Sequence, residues 1–351
     1  MRDYNPNMPL VEHNWDEFVA AHPRGHVLQT HAWGKLKSEF GWWGGALQTG
    51  PEHYTDSGAL VLFRPLPLRS TLAYVPRGPV VNWDDQALLR RLFQALDDRC
   101  RRSRAMCLKL EPDLPDEPRW RDLLRSHGFH PSPHLVQPPR SLVVDLTPDE
   151  AAILARMKPK TRYNIGLAGK RGVTARAAGA PEDLEAFNRL MALTGSRDGF
   201  GVHAPEYYRR AHELFAPTGR CALILAEWEG QTLAGVMAFT LGKQAWYFYG
   251  ASSDVERQRM APYLAQWEAM RWAKGRGALT YDLWGVPDAD EATLEAGFEQ
   301  RRDGLWGVYR FKRGWGGTLT RTVGAWDRVY NWPLYWGYLT MLRWRRPAAY
   351  A

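Results

Sequence analysis

Cysteine is scarce: Cys100, Cys107 and Cys221 are the only three in 351 residues, an odd count with no paired spacing. That pattern excludes a disulfide frame and a cysteine zinc site, and reduced, buried thiols of an intracellular protein are expected. No uninterrupted apolar run reaches about 18 residues, so no spanning helix is expected. Met1 to Phe18 shows neither the apolar stretch nor the cleavage signal of a secreted chain. A cytoplasmic protein, or one peripheral to the inner face of the membrane, is the expectation. Metal, haem and flavin motifs are missing as well, so no cofactor is expected. Acidic residues are outnumbered, 38 against 46 basic ones, giving a formal charge of +8 and a pI near 9.4. Such an excess suits polyanionic partners: RNA, pyrophosphate groups or an anionic membrane face.

Hydrophobic residues make up 45% of the chain, enough for real cores, and the length suits two domains better than one. In the first half, helical spacing at Trp15–Ala21 and Trp33–Phe40 precedes strand patterns at Ala59–Arg64 and Leu72–Val75. Asp84–Arg102 then carries Leu88, Leu89, Leu92, Phe93 and Leu96 on one helical face. A strand at Ala105–Leu110, a helix at Trp120–His127 and a closing strand at Ser141–Asp145 follow. The second half repeats the order. A basic helical segment interrupted by Pro159 leads to helices at Leu184–Leu193 and Glu206–Phe215, around a loop with Gly199 and Gly201. Alternating runs at Ala222–Trp228, Thr232–Leu241 and Ala245–Gly250 form a meander, then come a helix at Pro262–Lys274 and a strand at Leu279–Leu283.

Run through twice, this order resembles an N-acetyltransferase-like (GNAT) unit in tandem. The expected fold is α+β: mixed, largely antiparallel sheets flanked by helices, with units at 1–148 and 149–320 and an aromatic, basic tail at 321–351. An ordinary acetyltransferase is disfavoured. Coenzyme A needs a glycine-rich loop whose N–H groups meet its pyrophosphate at a helix start. Here that place reads Arg257-Gln-Arg-Met-Ala-Pro262, with a bulky Met260 and a Pro262 that has no N–H.

Eight stretches carry a sharper resemblance: Leu28–Lys37, Ala73–Pro79, Leu108–Pro112, Lys160–Ile165, Trp246–Ser252, Met260–Trp267, Tyr281–Val286 and Tyr309–Lys312. With them the chain resembles the FemABX family, without the coiled-coil arm of some members. The resemblance implies transfer of an amino acid, glycine first and alanine or serine next, from aminoacyl-tRNA. The acceptor it implies is the stem-peptide amine of a lipid-linked or UDP-linked peptidoglycan precursor. Lys37 then matches a lysine on the precursor phosphate. Glu111 stands where a carboxylate receives or orients the amine proton, and Tyr207 matches a substrate tyrosine. His203 replaces a phosphate-binding arginine, which leaves that contact to Arg259 or Arg162. Tyr247 and Tyr249 alternate on a strand and are expected on one side, as cleft hydroxyls or as core residues. Phe311 and Lys312 match the pair beside the aminoacyl ester, where an ammonium would stabilise the carbonyl oxyanion.

Two basic surfaces remain. Arg156–Asn164 with Lys170 and Arg171 suits RNA phosphate or is a solvated helix face. In the tail, Trp326, Tyr330, Trp332, Tyr335, Trp336, Tyr338 and Trp344 intermix with Arg328, Arg343, Arg345 and Arg346. Residues 326–346 therefore suit a lipid headgroup interface, the competing account being packing onto the second unit. Two rival functions stay open: an N-acyltransferase of exopolysaccharide or lipid with a thioester donor, and a non-catalytic scaffold that binds tRNA or precursor.

Overall fold

The structure, a computed structural model, describes residues 2–3, 12–50, 55–198 and 201–344. Gly199 of the expected loop and Arg345 and Arg346 of the tail lie outside them. In chain order the elements are β1 (Arg2–Asp3), α1 (Glu12–Ala21), α2 (His31–Ser38), β2 (Trp43–Thr49), β3 (Ser57–Leu66), β4 (Ser70–Pro76), α3 (Gln86–Arg102), β5 (Ala105–Glu111), α4 (Pro118–Ser126) and β6 (His130–Pro131). Next come β7 (Arg140–Asp145), α5 (Glu150–Arg156), α6 (Pro159–Lys170), β8 (Thr174–Ala177), α7 (Pro181–Asp198), α8 (Pro205–Phe215), β9 (Cys221–Trp228), β10 (Gln231–Leu241) and β11 (Gln244–Ser252). The series closes with α9 (Ala261–Gly275), β12 (Thr280–Asp282), α10 (Glu291–Gly297), α11 (Trp306–Lys312), β13 (Thr318–Arg321), β14 (Trp326–Val329) and α12 (Trp332–Trp344).

Two compact units result, residues 1–139 with 321–350, and residues 140–320. Each holds a seven-stranded mixed sheet, ordered β1-β2-β3-β4-β5-β14-β6 in the first and β13-β7-β12-β11-β10-β9-β8 in the second. In both an antiparallel meander ends on a parallel pair, β4 with β5 and β11 with β12, joined by a crossover helix, α3 or α9. The fold is thus α+β with two GNAT-like units.

The first unit is framed by buried polar contacts from three of the resembling stretches. Asp85 caps α3 by accepting the amides of Ala87 and Leu88, which starts the helix where its apolar face begins. That face, Leu89, Leu92, Phe93, Leu96 and Cys100, is buried against the sheet. Trp15 Nε1 donates to the carbonyl of Gln29 (2.7 Å), whose amide side chain bridges the Pro76 carbonyl and the Leu60 N–H. Lys109 and Asp327, both fully buried, face each other across β5 and β14 at 2.9 Å. The lysine also donates to Ser132 Oγ and the His134 carbonyl, and Tyr335 donates to Asp327 (2.8 Å).

Two sequence expectations change here. The strand at 140–145, read as closing the first half, pairs antiparallel with β12 and belongs to the second sheet, so the units divide at Pro139/Arg140. The tail, as far as residue 344, belongs to the first unit. Trp326 is buried in the first core, Arg328 and Tyr330 bind Asp97, and Tyr335 and Leu339 pack on Leu72 and Met106. Single-strand periodicity cannot reveal a partner some 200 residues away.

Candidate active site

In the second unit the parallel pair separates early. β11 and β12 share only three register positions, from Gln244↔Thr280 to Trp246↔Asp282. Beyond them Leu283 and Val286 donate to Leu142 and Arg140 of the β7 edge, and β11, still paired with β10, runs on along one wall of a cleft. The turn leaving β12 is set by Asp282, which accepts the Ser141 hydroxyl and the Trp284 N–H (2.7 Å). Trp284 sits in the left-handed region at φ 57°, unusual for a bulky residue. Its carbonyl and that of Gly285 accept the Lys312 ammonium at 2.9 and 2.8 Å.

Lys312 ends α11, which is clamped from outside. Glu295 accepts Arg313 Nε (2.8 Å), Tyr309 (2.9 Å) and Lys158 (3.0 Å), and these two cations and one hydroxyl hold its carboxyl at about 2. Phe311 meets Tyr263 and Trp315 edge-on at 5.2 and 5.5 Å. Lys312 itself is buried, 5.6 Å from the Tyr247 ring centroid. Burial brings its ammonium down to about 7, against the pull of Asp282.

These groups line a cavity of about 570 Å³ walled by Tyr247, Gly250, Ala251, Ser252, Pro262, Tyr263, Phe311 and Lys312. The size suits a ligand of several rings. Arg197, Arg257, Arg302 and Arg310 add positive charge to its lining. A second hollow of about 530 Å³ shares Ser252, Arg257, Pro262, Tyr263 and Arg310 and adds Lys160. Only glycine suits position 250, because an added Cβ would lie 1.9 Å from the Tyr247 hydroxyl.

Phe311, Lys312 and Tyr247 therefore meet in one cleft. His203, Tyr207 and Tyr249 meet elsewhere: His203 stacks on Tyr207 at 3.9 Å, and the Tyr207 and Tyr249 hydroxyls are 3.5 Å apart. The shared side expected for Tyr247 and Tyr249 is a misreading. Phe248 is the extra residue of a β-bulge, with Ala238 opposite Tyr247 and Met237 opposite Tyr249. Since Ala238 and Met237 point to opposite faces, so do the two tyrosines. Tyr247 joins the core that contains Ala238, while Tyr249 packs on Tyr207, Tyr208 and Phe239.

Arg259 is held by Glu256 (2.6 Å) and the Arg171 carbonyl (2.6 Å), with its guanidinium 3.5 Å over the Trp228 ring. Arg162 donates to the carbonyls at the end of α5. Both side chains thus hold loops together, and neither lines the cleft. Next to Arg259, the turn that would cradle a diphosphate spends the amides of Arg259, Met260 and Tyr263 on its own carbonyls. In the first unit Glu111 accepts Tyr74 Oη and the amides of Val136 and Gln137, which occupy both oxygens. Burial raises its pKa despite them. Lys37 lies in the last turn of α2, 5.2 Å from the Trp33 ring.

Sequence reading passed over Arg197, Arg302 and the two carbonyls that hold Lys312. Arg310 was visible as the first residue of the basic run ending in Arg313. The carbonyls had no side-chain signal to offer.

Fold and cleft together define a tandem acyltransferase-like protein whose second unit carries a buried lysine where its parallel strands part. The chain belongs to the FemAB family, which it matches over residues 10–119, 126–229 and 226–342. It is 25% identical to the lipid II:glycine glycyltransferase of Staphylococcus saprophyticus over 402 residues, covering 93% of this chain and 94% of that one. The same enzyme of Staphylococcus aureus strain USA300 matches at 25% over 405 residues, with 93% and 94% covered. These alignments run longer than the 351-residue chain, so the relatives carry segments absent here. The crystal structure of FemX superposes with a TM-score of 0.83 at 23% identity, over 94% of this chain and 98% of that one. A tandem GNAT protein of the clavulanic acid biosynthesis pathway reaches 0.55 at 12% identity, over 92% and 96%.

Proposed function

We propose that the protein is an aminoacyltransferase that moves an amino acid from aminoacyl-tRNA to the stem-peptide amine of a peptidoglycan precursor. The relatives' names favour glycine and a lipid-linked acceptor. That acceptor would put the working protein at the inner face of the membrane. One observation carries the reading: a buried lysine, its ammonium held by two backbone carbonyls, lines a cleft whose wall also carries four arginines.

An aminoacyl ester is already activated and a neutral amine attacks it readily, so positioning supplies much of the rate. As the amine nitrogen bonds to the ester carbon, negative charge grows on the carbonyl oxygen. The ester C–O bond then breaks, and the charge passes to the ribose oxygen, which takes up the proton the amine loses. Lys312 stabilises both oxygens in turn, and comparable oxyanion donors are worth about 3–4 kcal/mol. Phe311 forms the apolar floor that keeps water from the ester, and Tyr247 shapes the opposite wall. The arginine rim, with Lys160, receives phosphates of the RNA end. For the precursor, Lys37 supplies charge for phosphate, while His203, Tyr207 and Tyr249 offer stacking surface and hydroxyls. Glu111, with every lone pair engaged, acts by anchoring the 136–137 turn rather than by taking a proton.

The test mixes the protein with individually charged, radiolabelled tRNAs and either the lipid-linked or the UDP-linked precursor. Label is expected on the precursor peptide with one donor. Transfer from acyl-CoA instead, or binding without any turnover, would replace this reading with one of its rivals.

A further inference from the structure

Helix α12 has an outer face that does not suit water. Tyr335 and Leu339 are buried and Leu334 and Tyr338 half-buried, packed on Leu66, Leu72, Met106 and Cys107. The opposite positions, Trp332, Pro333, Trp336, Gly337 and Thr340, are all exposed, and none carries a charge. A surface helix ordinarily places charged residues there. Trp332 and Trp336 are 47% and 58% exposed, one turn apart, with ring centroids at 6.3 Å.

The end of the sheet under this helix is strongly basic. The β3–β4 turn presents Leu68, 80% exposed, beside Arg69, and the Thr71 N–H bonds the Arg104 carbonyl at the start of β5. Arg101 and Arg102 close α3 at that same end on the opposite face of the sheet, while Arg64 lies near enough to Tyr338 of α12 to act on its hydroxyl. Neither 57–83 nor 99–110 contains an aspartate or glutamate. Exposed tryptophans beside an arginine-rich sheet end whose two segments carry no acid match one environment: the headgroup layer of an anionic bilayer, where indoles sit at the boundary and guanidinium groups meet lipid phosphate.

We propose that the exposed face of α12, with Arg64 and the Leu68–Arg69 turn at the sheet end it covers, docks the protein on an anionic lipid surface. Two tryptophans and a few arginines give reversible attachment, not insertion. Among the described residues no helix is long and apolar enough to cross a membrane. Cutting the chain at Trp326 cannot test this, because it removes β14 and the partner of Lys109 from the first core. Point changes on the outer face can.

Flotation with vesicles of phosphatidylglycerol and phosphatidylcholine, against phosphatidylcholine alone, needs neither RNA nor precursor, so its outcome is separate from that of the transfer reaction. The native protein should float with the anionic vesicles and stay behind with the neutral ones. The pair Trp332→Ser and Trp336→Ser should weaken vesicle binding by about tenfold or more. The pair Arg64→Glu and Arg69→Glu should do so by a similar factor and remove the salt sensitivity. All four positions are exposed, so thermal unfolding should stay unchanged. Undiminished flotation of both pairs, equal binding to neutral vesicles, or a self-association abolished by the tryptophan pair would each overturn the proposal.

Discussion

At Lys312 two opposing effects meet on one nitrogen. Burial disfavours its charge, while two carbonyls and the nearby Asp282 favour it, and the balance leaves the ammonium at about 7. A transfer that needs this charge should therefore show it in the pH profile. As pH rises, more acceptor amine is neutral and the rate climbs, but above about 7 Lys312 loses its proton and the two trends cancel into a plateau. In Lys312→Met the rate should fall by about 10²–10³ and keep climbing through that range. The sign for stability follows from the same shift. An unfolded lysine titrates at roughly 10.4, so between about 7 and that value the native state has shed a proton that the unfolded chain still binds. Native protein should thus gain stability relative to Lys312→Met as pH rises across this window, as read from melting temperatures at pH 7 and 10.

Elements bring such residues into place, and two clamps decide how well. Glu295 ties α10 to α11 through Arg313 and Tyr309, so Glu295→Gln should lower kcat by loosening Lys312 while leaving most of the fold intact. Because its carboxyl is held at about 2, the contribution is complete above an ordinary glutamate pKa and fades as pH falls toward 2. In the first unit, Lys109 and Asp327 join β5 to β14 through a direct, buried ion pair. Lys109→Met alone should cost about 3–5 kcal/mol in urea unfolding, since it leaves a buried carboxylate, whereas replacing both partners with apolar residues should cost far less. These elements also mark what sequence patterns convey. The α3 face, the meander of the second unit and the crossover helices were legible because their periodicity is local, whereas β2 of the first meander was not read. The sheet that the 140–145 strand joins and the β14 return were not, because pairing partners leave no local mark. The bulge at Phe248 shows the same limit at finer grain: one extra residue sends Tyr249 away from Tyr247.

On the scale of the whole molecule, the repeated order of elements does appear as two matching sheets, and the motif at Phe311 and Lys312 does fall in a cleft. Other motif residues turned out to frame the fold. Lys109, Glu111 and Gln29 spend their polar atoms inside the first unit, which explains why short stretches there stand out as strongly as those near the cleft. Charge could be read as an excess but not as a location. Arg259 is locked on Trp228, while Arg257, Arg302 and Arg310 line the cavity.

The central claim is that Lys312 serves an RNA-borne ester. Single-turnover transfer from a short RNA ending in a 3′-aminoacyl adenosine tests it most directly, with the same aminoacyl group offered on coenzyme A beside it. The RNA ester should donate to the precursor amine, and Lys312→Met should slow that step by about 10²–10³ without weakening RNA binding. Equal transfer by the variant, or donation from the thioester alone, would contradict the account.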